Sequence, residues 1–349
     1  MQRKTEPRTT LNRTDIEGSH DGKGGKKRTS QYVGINVYLC ILKLTIDTDM
    51  KHTLLLIVAL LAGLTAQAQD TASNYPLATK VLNGEGVQLG VALCGGSAFG
   101  YAHLGFLQAL DEAGIRVDRV SGTSMGAIVG MFYAAGYSPR EIVNIIKKER
   151  MLKKTNIFRL NFKNDGGLAD YGRMRGMMAK YIPYNSFDSL KIPFHCCVAD
   201  MNHLRPVYVS TGGNLREFVS ASASVPRVFA PVMIDSVYYV DGYIFNNLPV
   251  EPLIEAGCNV TIGLYIQRDT VMERIDDPSI IASRAFAVNS NLCTLDHVPL
   301  CTYGIAIKVG DLGKLEFDKI DEFFEYGYKA GKEFLEGLEK NEVARDIKD

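Results

Sequence analysis

The chain has 349 residues, 46% of them hydrophobic, which is enough to bury a substantial core. Its 39 Lys and Arg residues balance its 39 Asp and Glu residues, so the charge does not favour nucleic acid as a partner. The seven cysteines include no C-x-x-C pair, and no histidine stands at zinc spacing from them, so the pattern predicts no metal site.

The first motif in chain order is an export signal. Met50 and Lys51 precede an apolar run at residues 53–64, and Ala66–Ala68 has the small-x-small pattern of a cleavage site. The run is shorter than the about 20 apolar residues of a membrane-spanning helix. We therefore predict a signal peptide at residues 50–68, a periplasmic or secreted protein, and no transmembrane anchor in the mature chain. Translation then starts at Met50, and residues 1–49 are a disordered leader or untranslated sequence.

A glycine-rich loop follows the first strand-like run of the predicted mature chain. Val87–Cys94 is mostly apolar, and Gly95–Gly100 leads from it into helix-forming residues. Such a loop aims backbone N–H groups at an anion, either a phosphate or the oxyanion of acyl transfer. The loop lacks the Gly-Lys-Ser/Thr ending of a P-loop, and Val120–Gly122 closes the second strand without the acidic residue of a dinucleotide site. The sequence therefore favours an oxyanion-binding loop.

The second strand-like run ends at a candidate nucleophile. Gly122–Gly126 has the pattern G-x-S-x-G, with Ser124 at its centre, between an apolar run and a helix-forming run. Glycines two residues before and after the serine remove side chains that would collide across a sharp turn, and the helix N-terminus supplies N–H groups. The pattern predicts an exposed nucleophile and makes a hydrolase the leading hypothesis.

A candidate general base stands further along the chain. Two short β-rich runs flank a turn at Asp235–Ser236, and the second run ends in Asp241–Gly242. An aspartate at the end of a strand can accept the proton of a serine hydroxyl. The alternative is an ordinary turn, since Asp-Gly is a common turn dipeptide and Asp165–Gly166 is a second copy.

Taken in order, these blocks resemble the patatin-like phospholipase family, and in particular its bacterial members. The resemblance runs from about Gln88 to about Tyr265, and Phe317–Tyr328 is similar to the end of bacterial members. The order of the blocks is more specific than any one of them. They are Gly95–Gly100, Gly122–Gly126, Ala221–Pro226 with Phe229 and Pro231, Asp241–Gly242, and Asn246–Pro249.

The resemblance implies a lipid acyl hydrolase of the phospholipase A or esterase type that uses a Ser-Asp dyad and no cofactor. Ser124 is then the nucleophile, Asp241 is the general base, and the amides of Gly95, Gly96 and Ser97 form the oxyanion hole. Gly100, Gly122, Gly126 and Gly242 are supporting positions of the motifs. The implied partner is a lipid or ester substrate at a membrane surface.

Two positions depart from the family's pattern. Phe99 stands where the family usually has Arg or Lys, which removes a positive charge from the loop and puts the binding of anionic head groups in doubt. Tyr243 stands where a small residue is usual, and its bulk narrows the substrate range. A second hypothesis follows from these changes, in which the chain is a catalytically silent lipid-binding protein of the same fold.

A Ser-Asp-His triad is the rival mechanism and needs a histidine downstream of the serine. His195 lies in an apolar strand-like run and is more typical of a core histidine. His203 belongs to a polar turn, and His297 follows Asp296 in a loop without a pattern. His103, in the helix after the glycine loop, is expected to support that loop.

The remaining pattern predicts an α/β fold, a three-layer α/β/α sandwich with a mostly parallel central sheet. Residues 69–349 form one domain, with a core at 87–265 and a C-terminal helical extension. Met151–Asn185 lacks clear periodicity and holds methionines that belong either to a lid over the site or to ordinary packing. Cys293 and Cys301 flank a loop, and the sequence leaves their pairing open. Helices are predicted at Gly100–Ala113, Met125–Ala135, Pro139–Lys148, Asn214–Ala223, Val250–Ala256 and Asp318–Leu338.

Overall fold

The computed structural model describes residues 75–149, 159–160, 169–267, 281, 288 and 291–340. All described residues belong to one compact unit, residues 71–349. The predicted leader at 1–49 and signal peptide at 50–68 lie outside the described residues, as does Asp165–Gly166.

A twisted, mixed sheet forms the centre of this unit. The strands of the sheet are β1 (Leu89–Leu93), β2 (Arg119–Thr123), β5 (Phe194–Asp200), β6 (Arg205–Val209), β7 (Val232–Ile234), β8 (Val237–Asp241), β9 (Val260–Gln267) and β10 (Tyr303–Lys308). Along the sheet the strand order is β10-β9-β1-β2-β5-β8-β7, and β6 pairs with β5. The five strands from β10 to β5 are parallel, while β6, β7 and β8 pair antiparallel.

Helices flank the sheet, and all six predicted helices are present with ends within two residues of the prediction. The helices are α1 (Pro76–Leu82), α2 (Tyr101–Glu112), α3 (Met125–Ala134), α4 (Pro139–Lys148), α5 (Gly172–Tyr181), α6 (Leu215–Ser222), α7 (Glu251–Glu255) and α8 (Ile320–Glu339). Capping explains the sharp start of α4, where Ser138 and Glu141 form a capping box ahead of Pro139. The prediction of an α/β fold with a mostly parallel sheet is confirmed.

Both faces of the sheet are covered, as the fully buried strand β1 shows. Leu89, Val91 and Leu93 belong to the large core, in which α2, α3 and α8 pack. Ala92 belongs to a smaller cluster on the other face, together with Leu253 of α7. Because successive side chains of a strand point to opposite faces, this alternation requires two packed layers around the sheet.

The segment without clear periodicity contains structure that the sequence pattern missed. Two short strands, β3 (Arg159–Leu160) and β4 (Ala169–Asp170), pair antiparallel. Helix α5 follows and buries Met174, Met177 and Met178, which supports packing as the role of these methionines. Most of the segment before β4 lies outside the described residues.

Helix α8 packs on α2 through glycines at the contact. A Cβ atom on Gly327 would overlap the carbonyl oxygen of Ala102, and one on Gly105 would overlap the carbonyl oxygen of Phe324. The two helix backbones therefore approach each other more closely than any larger residue permits. Since α2 begins right after the glycine loop, this contact also fixes the position of the loop.

We expect Gly327→Ala to lower the free energy of unfolding by about 2–3 kcal/mol, because the added methyl group forces the two helices apart. The matched control is Gly176→Ala in α5, where an added Cβ meets no atom within 4 Å. That change is expected to stabilise the protein slightly through helix propensity. Thermal unfolding of the two variants checks this, and equal Tm values would contradict the packing.

Candidate active site

Ser124 sits on a strained turn between β2 and α3. Its backbone has φ 56° and ψ −121°, a left-handed region that a non-glycine residue rarely adopts. Around the turn the backbones nearly touch, because a Cβ on Gly122 would overlap the carbonyl oxygen of Gly126 and a Cβ on Gly126 would overlap that of Leu93. The two glycines therefore permit the turn that presents the serine.

The side chains of Ser124 and Asp241 are in direct contact. Ser124 Oγ donates a hydrogen bond of 2.7 Å to Asp241 Oδ2, and the backbone N–H of Tyr243 donates one of 3.0 Å to Asp241 Oδ1. Asp241 is 1% exposed and Ser124 is 8% exposed. The end of β8 and the end of β2 thus bring together two residues that are 117 positions apart in the sequence.

Burial raises the pKa of Asp241 to about 7, and the hydrogen bonds from Ser124 and the Tyr243 amide only partly oppose this shift. The carboxylate faces two donors and no positively charged partner among the residues that the structure describes. A base with this pKa is both ionised and proton-accepting near neutral pH, which is the range in which general-base catalysis is most effective.

The block Ala221–Pro226 holds both partners in place. The Ser124 N–H donates to Ser222 Oγ at 2.9 Å, and Ser222 Oγ donates to the carbonyl of Cys197 at 2.6 Å. The Asp241 N–H donates to the carbonyl of Ser224 at 3.0 Å. The sequence analysis quoted this block without giving it a role, and only the fold shows that it positions both residues.

The glycine loop lies beside Ser124 but does not offer all three predicted amides. The N–H of Gly95 donates to Asn247 Oδ1 at 3.0 Å, so this amide is already used. The role of Gly95 as an oxyanion donor stays a prediction, and it would require this bond to Asn247 to break. Its lack of a side chain permits close packing, since a Cβ there would lie 2.8 Å from Ser124 Cβ. The amides of Gly96 and Ser97 have no hydrogen-bond partner within the described ranges and are open to a ligand.

Asn247 is a site residue that the sequence analysis did not single out. Besides holding Gly95, it donates from Nδ2 to Thr294 Oγ1 at 3.0 Å. This one buried amide therefore connects the glycine loop with the helical residues 291–297. The signal was present in the Asn246–Pro249 block, but spacing alone does not reveal the partners.

The remaining motif glycines also lie at close contacts. A Cβ on Gly242 would lie 2.5 Å from the carbonyl oxygen of Cys197, and one on Gly100 would lie 2.8 Å from Met125 Cβ. Gly100 therefore allows the glycine loop to lie against the first turn of α3. Gly242 allows the chain after Asp241 to approach β5.

A cavity of about 760 Å³ opens over Ser124 and Asp241. Its wall is mostly apolar, and both residues that depart from the family pattern belong to it. Phe99 is buried and packs edge-on against Phe323 with ring centroids 5.8 Å apart, while Tyr243 is half-buried. Other lining residues are Gly96, Ser97, Val225, Pro226, Arg227, Val228, Tyr265, Ile266, Gln267, Asn291, Thr294, Leu295 and Lys314.

No histidine lines this cavity among the residues that the structure describes. His195 is buried in β5, and burial, together with the nearby charge of Arg119, lowers its pKa to about 4. His203 pairs with Asp200 at 2.7 Å. These positions agree with a core histidine and a turn histidine.

His297 and His103 have structural partners. The prediction that His297 lies in a loop is wrong, because residues 291–297 are helical, and its Nε2 pairs with Glu251 Oε1 at 2.7 Å. His103 is fully buried, and its Nε2 lies 2.9 Å from the carbonyl oxygen of Cys94, just before the glycine loop. His103 therefore supports the loop.

The six cysteines of the described region are free thiols, including Cys293 and Cys301. Within the same region no group of three or more His, Cys, Asp or Glu side chains is arranged to hold a metal ion. Nor does any described helix combine the length and apolar character that crossing a membrane requires.

The fold and this geometry define an α/β protein built around a serine on a strand-to-helix turn, the arrangement found in many serine hydrolases. Residues 91–254, a little under half of the chain, match the family described as patatin-like phospholipases. The predicted family is confirmed, while the bacterial subtype stays a prediction.

Curated relatives include lysophospholipase nte1 of Neurospora crassa, 26% identical over 288 residues, and lysophospholipase nte1 of Aspergillus terreus, 29% identical over 287 residues. Each match covers 74% of this chain but only 19% and 18% of the relative, so the chain spans about a fifth of their length. Among solved structures, VipD from Legionella pneumophila matches 72% of this chain and 67% of its own, with 13% identity and a TM-score of 0.41. The type III effector ExoU matches 72% and 53%, with 13% identity and a TM-score of 0.35.

We expect Asp241→Asn to stabilise the protein at alkaline pH. The pKa of the carboxyl is about 7 in the folded state and about 3.9 in the unfolded state. Its ionisation therefore favours unfolding progressively between these values and fully above pH 7. Asparagine keeps two polar groups for Ser124 and the Tyr243 amide without the buried charge. We expect a gain of ~2–4 kcal/mol at pH 8 and a much smaller gain at pH 5, measured by denaturant unfolding.

Asp200→Asn is the matched control. Burial favours the neutral form of Asp200, but hydrogen bonds from His203 and its charge reverse this effect and lower the pKa of that carboxyl. Ionisation of Asp200 therefore stabilises the folded state, and Asp200→Asn should be less stable than the wild type at pH 8. A loss of stability in Asp241→Asn at pH 8 would contradict the buried, uncompensated carboxylate.

Proposed function

We propose that the chain is a lipid acyl ester hydrolase in which Ser124 and Asp241 form a catalytic dyad. The observation that carries the proposal is the 2.7 Å hydrogen bond from Ser124 Oγ to Asp241 Oδ2 at the cavity. The family and the relatives named lysophospholipase support the class of ester hydrolases and a phospholipid or lysophospholipid as substrate.

In the first half of the reaction, Ser124 Oγ attacks the ester carbonyl carbon while its proton passes to Asp241 Oδ2. The carbonyl oxygen becomes an oxyanion, which the free amides of Gly96 and Ser97 stabilise. When the tetrahedral intermediate collapses, the ester C–O bond breaks and the proton on Asp241 is transferred to the departing alcohol. The acyl group is then bound to Ser124.

In the second half, Asp241 takes a proton from a water molecule, whose oxygen attacks the acyl carbonyl. The bond to Ser124 Oγ breaks, the serine recovers the proton, and the fatty acid leaves. Each half of the cycle returns Asp241 to its ionised form, so one carboxylate with a pKa near 7 serves both halves.

Exposed apolar side chains at the cavity support uptake of the substrate from a membrane surface. Val228 and Leu295 line the cavity and are exposed, and Leu292 and Leu315 are exposed close to them in the sequence. Such side chains lie favourably among acyl chains and cost free energy in water. The mostly apolar wall fits the acyl part of the ester, and its volume lies within the usual range for small-molecule sites.

The alternatives to a dyad hydrolase are a Ser-Asp-His triad and a silent lipid-binding protein. The triad mechanism loses support because His297 is engaged with Glu251 and no described histidine lines the cavity. A silent lipid-binding protein would need neither the strained backbone of Ser124 nor a buried carboxylate beside it, and both features cost stability.

The test is turnover of monomeric short-chain esters and of phospholipid vesicles by the wild type and three variants. We expect Ser124→Ala and Asp241→Asn to lose at least about 10³-fold in kcat, as removal of a nucleophile or its base does in other serine enzymes. His297→Ala should retain activity. For the wild type, kcat/KM should fall as the pH drops below about 7, because the protonated Asp241 accepts no proton.

Loss of activity in His297→Ala with unchanged folding would move the assignment to the triad. A wild type as inactive as Ser124→Ala on every ester would favour the silent lipid-binding protein.

We further propose that the protein is exported, on the strength of the apolar run at 53–64 and the Ala66–Ala68 pattern. Expression from Met50 in a bacterium, followed by fractionation and N-terminal sequencing, tests this. We expect a mature chain that starts at Gln69 outside the cytoplasm. A chain that keeps Met50 in the cytoplasm would refute export.

A further inference from the structure

Two basic side chains, Arg227 and Lys314, stand at the cavity. Both line it and both are exposed, and neither forms a salt bridge with a residue that the structure describes. The acidic residue of the lining is Asp241, which is bonded to Ser124. Elsewhere on the described surface, Lys and Arg side chains often have acidic partners, as in Arg116–Asp118, Lys147–Asp321, Lys180–Glu149, Lys319–Glu322 and Lys329–Glu333.

Arg227 occupies its position at a conformational cost. Its φ is 71°, a left-handed value that glycine adopts freely and that is strained for a residue with a side chain. The tight turn around it enforces this value, because the N–H groups of Val228 and Phe229 both donate to the carbonyl of Val225, at 3.1 and 2.9 Å. A glycine would relieve the strain, so the arginine is not there for the stability of the turn.

Both basic residues are fixed to segments that carry the proposed catalytic groups. Arg227 follows Ser224 by three positions, and the Ser224 carbonyl accepts the N–H of Asp241 at 3.0 Å. The carbonyl of Lys314 accepts the N–H of Ala98 at 3.1 Å, directly after the open amide of Ser97. The backbone positions from which the two basic side chains extend are therefore fixed relative to the dyad and the glycine loop.

We propose that Arg227 and Lys314 bind the phosphate of the substrate's head group while the ester bond lies at Ser124. The inference rests on the proposed hydrolase function and adds the residues that bind the substrate's head group. A guanidinium matches two phosphate oxygens at once, and an ammonium adds a point charge on a flexible stem. The apolar remainder of the wall faces the acyl chain. The pair thus selects phosphate-bearing esters over neutral acylglycerols.

The experiment compares two soluble substrates that share an acyl chain, hexanoyl-lysophosphatidylcholine and monohexanoylglycerol, both kept below their micellar concentrations. The variants are Arg227→Gly, Lys314→Gln and the double variant, with Lys329→Gln on α8 as a surface-charge control. Arg227→Gly removes the charge and the strain together, so its Tm should equal or exceed that of the wild type. A Tm at or above that of the wild type shows that any loss of activity does not come from unfolding.

We expect each single variant to lose roughly three- to ten-fold in kcat/KM on the phosphate-bearing ester, mainly through KM, because a partly exposed charge-assisted contact is lost. Turnover of the neutral ester should stay within about two-fold, and Lys329→Gln should resemble the wild type on both. Equal losses on the two esters, or no loss on either, would overturn the proposal.

A binding measurement separates this proposal from the proposed function. Titration calorimetry of Ser124→Ala with hexanoyl-lysophosphatidylcholine should show weaker binding when Arg227→Gly and Lys314→Gln are added, even if the wild type hydrolyses neither ester. In that case the hydrolase proposal fails and the phosphate site stands. If the basic variants lose only their binding to vesicles that contain anionic lipid, the charges attract the membrane and the substrate-phosphate site is refuted.

Discussion

The arrangement of the site depends on one carboxylate that is buried between two hydrogen-bond donors. Asp241 is 1% exposed, and among the residues that the structure describes its side chain has Ser124 and one backbone amide as hydrogen-bond partners. Burial removes water from the carboxylate, and two hydrogen bonds do not fully replace it. The charged form is therefore disfavoured, and the pKa of Asp241 rises to about 7. Strand β8 carries the carboxylate, Ser222 binds the Ser124 amide and the Ser224 carbonyl binds the Asp241 amide, so the fold keeps the carboxylate against one hydroxyl.

The sequence revealed much of the fold because its local signals agree with the tertiary structure. The strand-like run Val87–Cys94 contains β1, the Pro139–Lys148 helix has both its capping residues, and the two runs around Asp235–Ser236 form the β7–β8 hairpin. Ser124 and Asp241 stand at the ends of strands, where a sheet brings distant residues together. Order and spacing were sufficient for these elements.

What the sequence left open depends on contacts across the fold. The sequence gives no sign that the Gly95 amide has a hydrogen-bond partner. Only the fold shows that it donates to the side chain of Asn247, 152 positions away. Helix α5 has weak periodicity because its buried face consists of methionines between charged residues, and His297 has no local pattern that indicates its pairing with Glu251. Hydrogen-bond partners of this kind cannot be read from neighbours in the chain.

The positive φ of Ser124 bears on which residue is expected at this position. A residue with a side chain is a poor choice for that backbone, and glycine would hold the turn with less strain. If stability alone determined the residue at position 124, glycine would be favoured there over serine. Serine at this φ is the residue expected where the hydroxyl carries the proposed function.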